Sequence, residues 1–161
     1  MSEAGKPNGD SSQAGVQVQI QIVGQYVKDL SFENPAAPLM GSNARPQIDL
    51  GVELQTRALD QSRFEVELKL RVSAQAENKP MFMLELVYAG LILVQSAPPE
   101  ILQQVLNVDV PHLLFPFARR IVADAIRDGG MPPLMIEPID FAALARARAA
   151  ENQMRPGSMP A

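Results

Sequence analysis

The sequence predicts an α+β fold: a four-stranded antiparallel sheet, Greek-key-like, with C-terminal helices packed on one face. Three observations carry that expectation. The first half of the chain alternates apolar and polar residues with period two, the second half changes to helical spacing, and a break with three prolines and a glycine at residues 34–46 and a short link at residues 60–62 separate the first strands.

Residues 1–15 are rich in Gly, Ser, Asn and Pro and read as a disordered tail, as does the closing stretch 151–161; the folded domain is expected over 16–150. In the first strand, Ile20, Ile22, Tyr26, Leu30 and Phe32 share one parity, while Gln21, Gln25, Asp29, Ser31 and Glu33 share the other. Asn34 to Pro46 then interrupts, with three prolines and a glycine. "QIDLGVELQTRAL" resumes the alternation, placing Ile48, Leu50, Val52 and Leu54 on one face. "RFEVELKLRVSAQAE" shows it most clearly, and the short link Asp60–Ser62 makes these two an antiparallel hairpin.

The fourth strand, "PMFMLELVYAGLILV", is apolar on both parities, so both of its faces need covering. Helices of the same chain serve one face, and the other calls for either a second subunit or a fully intramolecular sandwich. Met81 and Met83 share parity with Glu85 and Val87, opposite Phe82, Leu84, Leu86 and Tyr88. A methionine-rich outward face bearing an acid is an adaptable binding surface, although core filling is the commoner use of Met.

Downstream, "PEILQQVLN" predicts a short helix, and Leu114, Phe117, Ala118, Ile121, Ala125 and Ile126 form the apolar stripe of a longer one. Pro116 is expected in that helix's first turn and Gly129-Gly130 at its stop. After the extended "MPPLMIEPI", Asp140 is the expected N-cap of a last helix that begins "FAALARARAA".

Composition excludes several functions. A net charge of −4, with 14 Lys and Arg against 18 Asp and Glu, argues against a basic nucleic-acid surface. There is no Cys, which removes disulfides, thiolate catalysis and cysteine zinc sites, and the sole His is His112. No metal or cofactor is expected. The polar N-terminus lacks a secretory signal pattern, and the longest apolar run, Leu86 to Val94, is far below the roughly 20 residues a membrane span needs, so a cytoplasmic protein without membrane insertion is expected.

Asp29 and Glu33 raise the question of a carboxylate pair. Glycosidases need carboxyl groups about 5–9.5 Å apart. Four residues of strand span about 13 Å, so these two are a poor pair with each other. His112 could act as a general base with a carboxylate, but a lone His near a helix start is more often a capping or packing residue. Glu65, Glu67, Lys69 and Arg71 read as a solvated strand face with cross-strand pairs. No nucleophile elbow, Walker loop or dinucleotide glycine pattern occurs.

Three segments together resemble the bacterial protein-export chaperone family SecB. "YVKDLSFENPAAP" is similar to the family's first-strand signature, "HLLFPFAR" to its long-helix motif, and "PPLMIEPIDFAAL" to the segment leading into its last helix. The similarity covers roughly residues 16 to 150. It implies no catalysis but an ATP-independent holdase that keeps precursor proteins unfolded and passes them to the export motor SecA. It also implies a homotetramer, a dimer of dimers in which sheets join the dimers and helices join dimer to dimer. The family's motor-binding surface maps onto Asp29, Glu33, Met83 and Glu85. The unfolded-client groove maps onto Leu39, Met40, Ile48, Leu50, Leu134, Met135, Ile136, Phe141 and Leu144. This chain departs from the family pattern in having Arg120 where an acid commonly stands, Met83 where leucine is frequent, "LVYAGLI" in the fourth strand, and no Trp. A small oligomeric enzyme using His112 with a carboxylate, and an interaction module with one fixed partner, remain as alternatives, as does a specialised rather than export-dedicated family variant.

Overall fold

The computed structural model describes residues 17–36 and 45–155. Four strands, β1 (Gln19–Glu33), β2 (Gln47–Ala58), β3 (Arg63–Ala76) and β4 (Lys79–Gln95), form one antiparallel sheet in the order β1-β4-β3-β2. Three consecutive hairpin-linked strands, with β1 lying beside the last of them, give the expected Greek key.

The hairpin turns are fixed locally. Asp60 accepts the backbone N–H groups of Ser62 (2.9 Å) and Arg63 (2.8 Å) and the Arg63 guanidinium (2.6 Å), which hold its carboxyl down to about 2. Glu77 and Asn78 take φ of 51° and 62°, the left-handed pair that matches the twist of a two-residue hairpin between β3 and β4.

Helical structure follows as α1 (Pro99–Gln104), a π-helical turn (Val105–Asp109), α2 (Val110–Asp128) and α3 (Phe141–Met154). The short and the long helix expected from the sequence are one continuous run, because Gln104, Val105, Asp109 and Val110 all keep right-handed helical dihedrals. The wider turn has a local cause: Val110 N–H reaches back to Val105 O, five residues away, immediately before Pro111, whose ring would otherwise crowd the carbonyl of Asn107. Pro116 lies inside α2 and not in its first turn; Pro111 occupies that place.

α2 ends in a Schellman motif. Met131 N–H bonds Ile126 O and Gly130 N–H bonds Arg127 O, with Gly130 at φ 86°. Asp140 caps α3 by accepting the N–H of Ala143 at 2.9 Å. α3 continues to Met154, so residues 151–154, expected at the head of a C-terminal tail, are helical.

The core lies on one side of the sheet. Val66, Leu68, Leu70 and Val72 of β3 and Leu84, Leu86 and Ile92 of β4 are wholly buried together with Leu114, Ala118, Val122 and Ile126 of α2. Each such aliphatic side chain contributes about 1.5–3 kcal/mol by leaving water. α2 sits so close that a Cβ on Gly90 would lie 3.0 Å from Leu114 Cδ2. The opposite face of the sheet carries no described element.

Two bulges in β1, between Ile22 and Gly24 and between Val27 and Asp29, correct the expected alternation. Each shifts the register by one residue and so exchanges the faces. Between them Gln25 pairs with Gly90 and points inward, where its Oε1 accepts the Tyr88 hydroxyl at 3.1 Å. Tyr26 pairs with Ala89 and points outward. The second bulge restores the original parity, so Asp29, Ser31 and Glu33 face outward as expected while Leu30 and Phe32 face the helices.

Candidate docking patch and apolar groove

Cross-strand partners share a face of the sheet, and the β1–β4 register sets Glu33 opposite Met83, Ser31 opposite Glu85 and Asp29 opposite Val87. Asp29, Glu33, Met83 and Glu85 therefore form one block on the outer face. Glu85 sits diagonally between the two β1 acids, a position about 7–8 Å from each in a regular ladder. Met83 is 50% exposed and supplies an apolar contact at the block's end.

The three acids are not equivalent. Lys69 Nζ lies 3.0 Å from Glu85 Oε1, and Arg71 Nε 2.9 Å from Oε2. The Lys69 hydrogen bond, then that of Arg71, holds the Glu85 carboxyl below its usual range. Asp29 and Glu33 are exposed and take part in none of the ion pairs among the described residues. Two free carboxylates, one partly neutralised carboxylate and a thioether make a surface suited to a partner's cationic and apolar side chains, not to bond cleavage.

Sequence reasoning missed the tightest polar cluster on this face. Glu65 is buried, 6% exposed, and its carboxylate accepts the Tyr26 hydroxyl, Lys28 Nζ (3.0 Å) and Arg57 Nη2 (2.8 Å); Lys28 also bonds Glu67. The Tyr26 hydrogen bond, then the two cations, hold Glu65 down to about 2 against the cost of burial. Donating to that carboxylate pushes the Tyr26 phenol up, and Glu67 does the same for Lys28. Tyr26 and Lys28 reach across β4 over the small side chain of Ala89, and the bulge that turns Tyr26 outward is invisible in the alternation of residue types.

His112 is exposed and its ring meets Phe141 edge-on, with centroids 5.0 Å apart. It has no carboxylate partner among the described residues, and no group of three or more His, Asp or Glu there is placed to hold a metal.

The expected client groove divides. Leu39 and Met40 lie outside the described residues. Ile48 and Leu50 pair with Ala74 and Val72, so they point to the helix-bearing face, yet they remain 40% and 42% exposed. Met135 is 64% exposed, while Leu134 and Leu144 are half-buried against the core. Ile136 and Phe141 are corrected to core residues: Phe141 is fully buried, 6.0 Å from the Phe115 ring and 5.0 Å from His112. Leu144 instead joins Val52, Leu54, Ala147 and Arg148 in a cleft of about 630 Å³ between β2 and α3. Arg148 spans it by donating to the Leu54 carbonyl.

The family description "Preprotein translocase subunit SecB" matches residues 13–152 of this chain. A protein-export protein SecB of Parvibaculum lavamentivorans is 46% identical over 154 residues, 92% of each chain. Another of Zymomonas mobilis is 44% identical over 144 residues, covering 89% of this chain and 88% of that one. Among solved structures, a SecB-like chaperone of Mycobacterium tuberculosis in complex with a peptide from the HigA1 antitoxin superposes with a TM-score of 0.64 at 20% identity, over 74% of this chain and 90% of that one. That last likeness concerns the fold.

Proposed function

This chain belongs to the SecB family, and from that premise we infer that it is an ATP-independent holdase which keeps precursor proteins unfolded and delivers them for export. The observation that carries this reading is the span of the match: residues 13–152 take in all four strands, α1, α2 and all but the last two residues of α3, with the outer patch and the groove segments. The family is one of chaperones rather than enzymes, and the lone His112 packs as an aromatic neighbour of Phe141.

Physically, an unfolded chain exposes apolar segments that aggregate. Ile48, Leu50 and Met135, with the partly covered Leu134 and Leu144, offer apolar surface on the helix side, to which Leu39 and Met40 of the crossover belong in the proposed groove. Binding the unfolded state holds the client from folding by mass action and needs no nucleotide. Several subunits contacting one long client multiply weak contacts through effective concentration.

The outer block of Asp29, Glu33, Met83 and Glu85 is the proposed docking surface for the export motor SecA. The proposed tetramer draws support from two separate apolar faces. One lies on the outer sheet, with Val23 and Tyr26 of β1 exposed beside Val87, Leu91 and Leu93 of β4; the other is the exposed Leu113 and Phe117 of α2. Two faces of different geometry suit a dimer of dimers.

Reversing charge at Asp29 or Glu85 tests the docking assignment. Motor affinity should fall about tenfold or more and become less salt-dependent, while oligomer mass and client affinity stay unchanged. An unaltered motor affinity would sink the assignment.

A further inference from the structure

The end of β1 and the end of α2 meet at one half-buried point, and the docking block borders it on one side and the groove loop on the other. Asn34, the residue after Glu33, sends its Nδ2 donor to the carbonyl of Gly129 at 2.8 Å. That carbonyl is one of the last of α2, which no turn of the helix can serve. The Phe32 ring is pressed against the same glycine: a Cβ there would lie 2.6 Å and 2.7 Å from Phe32 Cε1 and Cζ. Two residues beyond Gly129 begins the segment 131–139, outside any helix or strand, that carries Leu134 and Met135. Asn34 Oδ1 is buried with no donor among the described residues, so only half of this amide is satisfied in the arrangement seen.

From this geometry we propose that the Asn34–Gly129 contact couples the two surfaces, so that client held by the segment after α2 changes how β1 presents Asp29 and Glu33 to the motor. The inference rests on the chaperone reading above. The lever is short and direct. The Schellman bonds from Gly130 and Met131 tie the start of the 131–139 segment to the last turn of α2, so a load on that segment falls on the same turn whose Gly129 carbonyl Asn34 holds. The only side-chain hydrogen bond at that carbonyl among the described residues comes from Asn34, whose backbone continues straight into the paired positions Glu33–Met83 and Phe32–Leu84. Asn34 is thus a positioning residue for motor docking without belonging to the docking block. Linkage requires the effect to be reciprocal: whatever client does to motor affinity, motor does to client affinity by the same factor.

The test measures motor affinity for the empty and the client-loaded full chain, in wild type and in Asn34→Ala. In wild type the two affinities should differ by at least about fivefold, the lower end of ordinary coupling. In Asn34→Ala the motor affinity of the empty chaperone and the client affinity should each stay within about twofold of wild type, while the ratio falls toward one. An equal ratio in both proteins, or a wild-type ratio of one, overturns the proposal. A second readout needs no variant: motor binding alone should change hydrogen exchange at the Gly130 and Met131 amides, and unchanged exchange there counts against the junction. A wild-type protein that captures no unfolded polypeptide at all defeats the chaperone reading itself, a different result from capture without coupling.

Discussion

Glu65 and Gly129 show how single residues set the stability of this fold. Glu65 gathers one hydroxyl and two cations on a face with no other buried charge among the described residues, and its carboxyl falls from a usual 4.5 to about 2. A depressed folded-state value means stability that is present above about pH 4.5 and is lost as pH falls toward 2. Glu65→Gln keeps the size but removes the charge from Tyr26, Lys28 and Arg57. It should lower stability at pH 7 by about 1.5–3 kcal/mol and flatten its fall in acid, as read from urea midpoints at pH 7 and pH 3 at fixed protein concentration. A variant with the wild-type acid profile would show that the cluster contributes nothing through ionisation. Gly129 is required by space, not by backbone angle, since its φ is an ordinary −73°. Gly129→Ala drives a methyl into the Phe32 ring and should cost about 1–3 kcal/mol in the same measurement.

Among the elements, α3 and β1 mark the limits of what periodicity reveals. Asp140 as a cap was legible because a short acceptor before an apolar run has few other uses, and Asp140→Ala should cost about 1 kcal/mol while speeding hydrogen exchange at the Ala143 amide. Unchanged exchange there would mean that packing alone holds the first turn. The four strands, the β2–β3 hairpin and the outward parity of Asp29, Glu33, Met83 and Glu85 were equally legible, since each depends on local alternation. The β1 bulges were not. An extra residue exchanges faces without changing composition, and Gln25, Tyr26 and Val27 read plausibly in either register. The continuous α1–α2 run was hidden by Pro111 and Pro116, which signal breaks unless a π-helical turn and a long buried face outweigh them. Ile136 and Phe141, expected in the groove, are buried, because an apolar residue in the connection or at the start of α3 reads the same whether it lines a surface or, like Phe141 between Phe115 and His112, fills the core.

For the whole molecule, the sheet has one face covered by its own helices and one that no described element covers, and the exposed Leu113 and Phe117 of α2 add a second apolar surface. Phe117→Asp places a charge at the centre of that helical surface, although Phe117 also stacks on Tyr88 at 6.4 Å. It should halve the mass seen by light scattering while leaving the fold intact by circular dichroism; an unchanged mass would place the helical contact elsewhere. The central claim, however, is capture of unfolded chains, and its most direct measurement is the aggregation of a denatured precursor diluted into nucleotide-free buffer with increasing amounts of this protein. The account predicts that turbidity falls progressively and is abolished near one assembly per client, for several unrelated clients alike. Undiminished aggregation at equimolar and higher ratios would contradict it.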